Sequence, residues 1–214
     1  MNTVQVTDEV QEYLDSLLPA RDPVLARMEE EAHREGIPIV DSHEGAFLSL
    51  LVRIAGSKRL LELGTAIGYS GIWLMRAAPG GTLTTFETNH ERAVRARSNF
   101  ASAGLAKQAL VLEEDAVQGL EKLTAKFDAC FIDLLNSFPS EDITRKVFDL
   151  CMQRLDAGGL LIADNALRQG EVIKPKGQQA RNVAFYNQLV AKDTRLESVV
   201  VPIRDGVSVA RVKD

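Results

Sequence analysis

Two acidic residues directly follow apolar segments in the second half of the chain. Asp133 ends Cys130-Phe-Ile-Asp, and Asp164 ends Leu160-Leu-Ile-Ala-Asp and precedes Asn165. If the two segments are neighbouring strands, both carboxylates emerge at one sheet edge, where like charges are costly unless a cation or a shared proton relieves them. Two aspartates and an asparagine suit Mg²⁺ or Ca²⁺ better than zinc. The alternative is that the two aspartates cap neighbouring helices.

A glycine-containing turn lies earlier in the chain, at Glu62-Leu-Gly-Thr-Ala-Ile-Gly-Tyr-Ser70. It lacks the G-x-G-x-x-G spacing with which dinucleotide folds bind a pyrophosphate. The Glu62 carboxylate, two residues before Gly64, would repel a pyrophosphate and suits a cationic ligand such as S-adenosylmethionine (SAM), which carries an ammonium and a sulfonium. Ser70 begins the next helix and is expected to bind the ligand's carboxylate together with backbone N–H groups. An ordinary strand-to-helix turn is the alternative.

Two further acidic positions suit the adenosine part of such a ligand. Thr82-Leu-Thr-Thr-Phe-Glu87 ends in a carboxylate that can accept hydrogen bonds from both ribose hydroxyls. Asp115 and Ala116 follow the next apolar segment, and Asp115 with a backbone N–H is expected to bind the adenine edge. A plain helix N-cap is the alternative role for Asp115.

The surrounding pattern places these residues at strand ends. From residue 59 onward, short apolar segments alternate with amphipathic ones, which predicts an α/β fold with a parallel, doubly wound sheet. The predicted strands are Arg59–Leu63, Thr82–Glu87, Ala109–Glu113, Phe127–Asp133 and Gly159–Asp164. Asp205-Gly206, between Leu196–Ile203 and Val207–Val212, predicts a C-terminal antiparallel hairpin.

Residues 1–55 are typical of three helices. Thr7 is expected to cap the first, Asp22-Pro23 to begin the second, Gly36 to end it, and Ser42 to cap the third. All 214 residues are interpreted as one domain, because a single core stops growing only at roughly 250–300 residues. The segment Arg168–Gln179, with glycines, a proline and several charges, is predicted to be mobile and to cover the site.

The composition is that of a soluble globular protein, with 45% hydrophobic and 26% charged residues. The net charge of −5 argues against a surface that neutralises nucleic-acid phosphates. Cys130 and Cys151 lie in apolar segments and are predicted to be buried free thiols. No apolar segment is long enough to span a membrane, and the N-terminal residues lack signal-peptide features, so we expect a cytoplasmic protein.

Together these motifs resemble the cation-dependent class I O-methyltransferases, which include catechol and caffeoyl-CoA O-methyltransferases. The resemblance covers nearly the whole chain, from Asp22-Pro-Val-Leu and Glu44-Gly-x-Phe-Leu, through the glycine turn, to Pro202-Ile-x-Asp-Gly-x-x-x-Ala-Arg211. It implies a Rossmann-like, mostly parallel seven-stranded sheet with helices on both faces, and a homodimer in which residues 1–55 cover the site and supply contacts. The predicted SAM-binding residues are Glu62, Gly64, Gly68, Tyr69, Ser70, Glu87, Asp115, Ala116 and Asp133.

The resemblance also implies a divalent cation, usually magnesium, held by Asp133, Asp164 and Asn165. A cation bound to two adjacent hydroxyl oxygens lowers the pKa of the attacking hydroxyl and orients it. The expected function is therefore SAM-dependent and cation-dependent methylation of a hydroxyl on a catechol-like aromatic molecule. Two alternatives stay open: methylation of hydroxyuridine at the tRNA wobble position, and SAM binding with little catalysis.

One predicted catalytic residue departs from the family pattern. Asn136 stands where the family has a lysine that acts as general base, and an amide cannot take up a proton. The cation alone, water, or a group such as Lys174, Lys176 or Glu141 would then supply the base, or the acceptor is more acidic. Leu134 and Leu135 make this wall apolar, which favours an aromatic acceptor.

Overall fold

Seven strands form one mostly parallel sheet in the computed structural model, which describes residues 6–214. The strands are β1 Arg59–Leu63, β2 Thr82–Phe86, β3 Ala109–Leu112, β4 Phe127–Ile132, β5 Leu155–Ala163, β6 Leu196–Val201 and β7 Val207–Val212. Their order is β3-β2-β1-β4-β5-β7-β6, and β7 runs opposite to the other six strands. The predicted parallel sheet with a C-terminal antiparallel hairpin is confirmed. Residues 1–5, part of the N-terminal segment on which the localisation was predicted, lie outside the described residues.

Eight α-helices surround the sheet in the described part of the chain. They are α1 Asp8–Leu17, α2 Pro23–Glu35, α3 Ser42–Ala55, α4 Tyr69–Ala77, α5 His90–Ser102, α6 Ala116–Lys122, α7 Glu141–Arg154 and α8 Gln178–Lys192. Thr7 and Asp22 cap α1 and α2 as predicted, and Gly36 ends α2 in the left-handed conformation. The predicted Ser42 cap is wrong: the Asp41 carboxylate accepts the Glu44 N–H, so Asp41 caps α3.

Four predicted strands end one residue earlier than expected, so that their terminal acids begin loops at the carboxyl edge. The backbone ladder nevertheless continues through two of these acids. The Asp133 N–H donates to the Leu63 carbonyl oxygen at 2.9 Å, and the Asp164 N–H donates to the Ile132 carbonyl oxygen at 3.0 Å. The register of β1, β4 and β5 therefore fixes where both carboxylates emerge. At its other end β5 begins at Leu155 instead of the predicted Gly159, beyond a register shift against β4.

The core fills both faces of the sheet. Leu60 belongs to the apolar cluster on one face and Leu61 to the cluster on the other, because successive strand residues point to opposite sides. Cys130 and Cys151 are buried free thiols with their Sγ atoms 3.5 Å apart, which confirms that prediction. No helix in residues 6–214 is long and apolar enough to cross a membrane.

The helix α1 differs from the other two N-terminal helices because it buries none of its residues. Tyr13 and Leu17 are 63% and 62% exposed. The predicted mobile segment Arg168–Gln179 begins with a distorted 3₁₀ helix, in which Gln169 and Gly170 have left-handed backbone conformations. Dimer contacts by α1 and covering of the site by this segment stay predictions.

We predict that Gly119→Ala destabilises the protein. A Cβ atom at this position in α6 would lie 2.0 Å from Cε1 of the buried Phe86 ring, directly before the predicted ribose ligand Glu87. Overpacking of this kind costs about 1–3 kcal/mol of unfolding free energy, measurable by urea denaturation. The control Gln118→Ala changes an exposed residue of the same helix and should change stability by less than about 0.5 kcal/mol. Equal stability of the two variants would contradict the close packing.

Candidate functional site

The glycine turn after β1 is pressed against the ends of β2 and β4. Gly64 has φ +103°, and a Cβ atom there would lie 3.1 Å from the Asp133 carbonyl oxygen. Gly68 has φ +87°, and a Cβ atom would lie 3.1 Å from the Phe100 ring. Both positions therefore favour glycine, through backbone conformation and through space. The turn is closed by a hydrogen bond from the Thr65 N–H to the Phe86 carbonyl oxygen at 3.0 Å.

Glu62 lies beneath this turn and is fully buried. Its carboxylate accepts hydrogen bonds from the Ser70 hydroxyl at 2.6 Å and the Thr85 hydroxyl at 2.7 Å. Burial raises the pKa of Glu62 from 4.5 to about 7, against the opposing effect of these two hydrogen bonds. The Ser70 hydroxyl is thus engaged by Glu62 in this structure, and its expected role in binding the ligand's carboxylate stays a prediction.

Glu87 connects the turn to the end of β2. One carboxylate oxygen accepts the Ala66 N–H at 2.9 Å, where Ala66 itself has φ +45°, and the other accepts the Asn89 N–H at 2.8 Å. A carboxylate has about four acceptor positions, so each oxygen keeps capacity for a ribose hydroxyl. Ribose binding by Glu87 therefore stays a prediction that the geometry permits.

A cavity of about 280 Å³ brings four of the predicted SAM-binding residues together. Gly64, Glu87, Asp115 and Ala116 all line it, with Phe86, Leu134 and Phe138 among the apolar residues of its wall. Asp115 is also a helix N-cap, the alternative role considered for it, because one of its oxygens accepts the Val117 and Gln118 N–H groups at the start of α6. The cavity thus matches the adenosine part of the predicted ligand.

Tyr69, Ser70, Gly68 and Glu62 do not line this cavity. The Tyr69 hydroxyl is turned toward α2, where it donates to the Glu29 carboxylate at 2.6 Å. Its ring is buried and packs edge-on against Trp73. These residues therefore shape and support the turn, and direct contact with SAM by their side chains stays a prediction.

Three acidic side chains beside the turn lie close enough to influence one another electrostatically: Asp133 and Asp164, as expected, and Glu44, which sequence reasoning did not assign. Glu44 is fully buried and Asp164 is 3% exposed. Burial and the nearby Asp164 charge raise the pKa of Glu44 to about 8. Burial, Asp164 and Glu44 together raise the pKa of Asp133 well above its ordinary range, and burial also raises that of Asp164. Burial and mutual repulsion thus disfavour the ionised forms of these carboxyl groups unless a positive charge lies beside them.

Arg204, in the loop between β6 and β7, is the cation at this acidic cluster and was also missed from the sequence. Its Nη1 lies 2.5 Å from a Glu44 oxygen and 3.3 Å from Asp164 Oδ2, and its Nε lies 3.4 Å from Asp41. Glu44 and Arg204 are 160 residues apart, so no local spacing links them. The sequence nevertheless contained one indication, because both residues lie in motifs that carry the family resemblance. Arg204 is at the variable position before Asp205-Gly206.

The predicted metal ligands are two carboxylates and one amide, and among residues 6–214 no three His, Cys, Asp or Glu side chains converge as ligands of one ion. Asp164 Oδ1 accepts the Asn165 N–H at 2.5 Å, and Asn165 has φ +59°, which asparagine tolerates well. The Glu44 Oε1 atom is buried without a hydrogen-bond partner in the described residues. One guanidinium against four nearby carboxylates leaves an excess of negative charge, so this donor set fits a hard divalent cation.

Asn136, at the position where the family has a lysine, accepts a hydrogen bond from Arg168 Nη1 at 2.7 Å. The Arg168 guanidinium, from the loop after β5, thus places a positive charge beside Asn136. The sequence alone did not predict this contact. Leu135 is buried in the core and does not contribute to a pocket wall, whereas Leu134 lines the cavity that contains Glu87. A contact between Leu134 and the acceptor stays a prediction.

A second cavity, of about 370 Å³, lies between α1 and the loop after β6. Its wall is mostly apolar, with Val6, Leu14, Pro202 and Ile203, and it also includes His43 and Arg204. The Nδ1 atom of His43 lies 3.3 Å from Gln11 Nε2, whereas its Nε2 is buried without a partner in the part of the chain that the structure describes. This cavity adjoins the acidic cluster through Arg204.

Comparison with known proteins assigns the chemistry of these features. Residues 20–213 match the model of a family described as O-methyltransferase. The chain belongs to the O-methyltransferase family. This O-methyltransferase is 30% identical over 226 residues to the catechol O-methyltransferase of Niastella koreensis, covering 98% of this chain and 99% of that one.

Solved structures of relatives extend the similarity to the cofactor. An O-methyltransferase from Bacillus cereus in complex with SAH is 29% identical, with a TM-score of 0.83 over 96% of this chain and 97% of that one. The Streptomyces achromogenes O-methyltransferase involved in tomaymycin synthesis, in complex with SAM, is 27% identical, with a TM-score of 0.82 over 96% of both chains. The chain is thus a SAM-dependent O-methyltransferase with the class I methyltransferase fold.

We predict that Glu87→Ala weakens SAM binding. Loss of hydrogen bonds to a charged acceptor costs roughly 1.5–3 kcal/mol, which corresponds to a rise in Kd of about tenfold to a hundredfold by isothermal titration calorimetry. Glu113→Ala is the matched control, since it makes the same change outside the cavity, where Glu113 pairs with His90 and Arg97. Equal SAM affinity in both variants would remove Glu87 from the cofactor site.

We predict that Glu62 makes stability fall as the pH rises. A carboxyl group with a folded pKa of about 7 and an ordinary value of 4.5 stabilises the fold fully below pH 4.5, and this contribution is lost as the pH rises through 7. Between pH 5 and pH 8, urea denaturation of the wild-type protein should lose about 2–3 kcal/mol more unfolding free energy than that of Glu62→Gln. Identical pH dependence in the two proteins would show that the pKa of Glu62 is not raised.

Proposed function

We propose that this O-methyltransferase transfers the methyl group of SAM to a hydroxyl of a catechol-like aromatic small molecule, with the help of a divalent cation. The main support is the acidic cluster of Asp133, Asp164 and Glu44 beside the glycine turn, in which Asp164 and Glu44 are buried. The closeness of the two features follows from Gly64, where a Cβ atom would nearly touch the Asp133 backbone. The glycine turn and the acidic cluster therefore lie at the same edge of the sheet.

Asp133, Asp164 and Asn165 are the residues that would hold the cation, with Glu44 as a buried carboxylate behind them. When bound, such an ion lowers the pKa of a hydroxyl that it ligates. The contribution of the protein is to keep the carboxylates in place through the β4 and β5 backbone ladder. A positive charge beside these carboxylates would offset the cost of their burial and mutual repulsion.

Asn136 and Arg168 replace the lysine base with a pair that cannot accept a proton. The amide has no basic site, and a guanidinium stays protonated at any accessible pH. We propose that Asn136 holds the Arg168 guanidinium in position, where its positive charge favours an ionised acceptor oxygen. The proton of the acceptor hydroxyl then passes to solvent or to Glu44, the carboxylate of the acidic cluster that is not a proposed cation ligand.

The acceptor class is proposed from the second cavity and from the relatives. Its mostly apolar wall with His43 and Arg204 suits a flat ring that carries polar substituents. The relative from Niastella koreensis, named catechol O-methyltransferase, aligns over 98% of this chain. Both observations favour a small aromatic acceptor over a nucleic acid.

Assembly and location complete the proposal. We propose a homodimer in which a second copy covers the exposed Tyr13 and Leu17 side chains of α1, since large apolar residues are seldom left exposed together. We also propose that the enzyme acts in the cytoplasm.

The function is tested by incubating the protein with SAM, Mg²⁺ and a panel of catechols, and by measuring the products by mass spectrometry. We expect a mass gain of one methyl group on at least one catechol, with loss of this product in EDTA. Asp164→Asn should lower the rate by about 100-fold or more while SAM affinity stays within about twofold, because the change removes a cation ligand and leaves the adenosine cavity intact.

The matched control is Asp156→Asn, which changes an aspartate at the other end of β5, beside Arg59. It should keep the wild-type rate. Full activity in EDTA would contradict the cation, whereas methylation of bulk tRNA but of no catechol would contradict the acceptor class.

A further inference from the structure

Arg204 has a backbone conformation that a non-glycine residue rarely adopts. Its φ is +47°, at the turn that joins β6 to β7, and the next two residues are Asp205 and Gly206. From this position its side chain crosses to α3 and pairs with Glu44, which is fully buried. The turn between β6 and β7 thus places the Arg204 guanidinium in the proposed cation site.

The second observation concerns the two oxygens of Asp164, which are both engaged. Oδ1 accepts the Asn165 N–H at 2.5 Å, and Oδ2 lies 3.3 Å from Arg204 Nη1. A divalent cation at Asp164 would therefore share a carboxylate with a guanidinium. Two positive charges a few ångströms apart repel each other, so that each lowers the affinity of Asp164 for the other, although the surrounding carboxylates attract both.

We propose that Arg204 is a resident cation that competes with the divalent ion for Asp164, so that binding of the ion requires its guanidinium to withdraw. The inference rests on the proposed function, because it assumes that Asp133, Asp164 and Asn165 are cation ligands. Its consequence is a cation affinity lower than these carboxylates alone would give.

The structure offers the guanidinium a place to which it can withdraw. Arg204 already lines the cavity of about 370 Å³ that also contains His43, Pro202 and Ile203. Asp41 lies 3.4 Å from its Nε at the exposed side of the cluster and can keep the positive charge paired. Withdrawal from Asp164 would thus move the side chain within the proposed acceptor cavity and couple ion binding to the shape of that cavity.

The proposal is tested by counting bound Mn²⁺ with electron paramagnetic resonance, in which the free ion is detected directly, without acceptor and without turnover. We expect Arg204→Gln, which keeps most of the side-chain length but removes the charge, to lower the Kd for Mn²⁺ about tenfold or more. Arg204→Lys keeps the charge and should stay within about threefold of the wild-type Kd. Arg211→Gln makes the same charge change on β7, where Arg211 pairs with Asp214, and should also leave the Kd unchanged.

Arg204→Gly provides a second neutral variant, because glycine suits the left-handed backbone if the glutamine variant folds poorly. Circular dichroism and SAM calorimetry check that each variant is folded. An Mn²⁺ affinity in the neutral variants that is no higher than that of the wild type, or equal tightening by Arg204→Lys, overturns the proposal. If no protein binds Mn²⁺ while catechol methylation continues in EDTA, both the competition and the cation dependence fail, but the transferase activity stands.

Discussion

Confinement of negative charge at the carboxyl edge of the sheet is the constraint on which the rest of this structure depends. Asp133 and Asp164 cannot move apart, because their own N–H groups extend the ladder to Leu63 and Ile132. Buried carboxylates at close range are costly unless a positive charge or a proton compensates them. The helices and loops around this edge therefore contribute cations, hydroxyl groups and N–H groups, and each of these lowers that cost.

Two carboxylates at this edge are stabilised in contrasting ways. Glu62 lies inside the glycine turn and receives only hydroxyl groups, from Ser70 and Thr85, so that its pKa rises to about 7. Glu87 lies at the cavity, and two backbone N–H groups hold its oxygens while acceptor capacity remains. The first carboxylate thus supports the turn from within, and the second is available to a ligand. Glu62 near the end of β1 and Glu87 after β2 thus have similar positions in the fold but different roles.

The sequence predicted the sheet and the strand ends well, because short apolar segments that end in acids directly encode buried strands and their carboxyl edge. It placed Gly64, Glu87, Asp115 and Ala116 at one site, and the cavity confirms their proximity. It could not predict that the Ser70 hydroxyl would turn inward to Glu62, since that choice depends on the tertiary position of β1. The sequence also could not predict the pairing of Glu44 with Arg204, because the two residues are 160 positions apart and meet through one hairpin loop.

Asn136 is neutral where the family has a lysine, but positive charge still reaches this part of the site from other residues. Arg168 returns a cation to this wall through Asn136, and Arg204 brings another to Asp164 and Glu44. A lysine can give up its proton when its pKa is lowered, whereas a guanidinium cannot. Neither Asn136 nor Arg168 can therefore act as a general base, and under the proposed mechanism proton transfer is left to carboxylates and solvent.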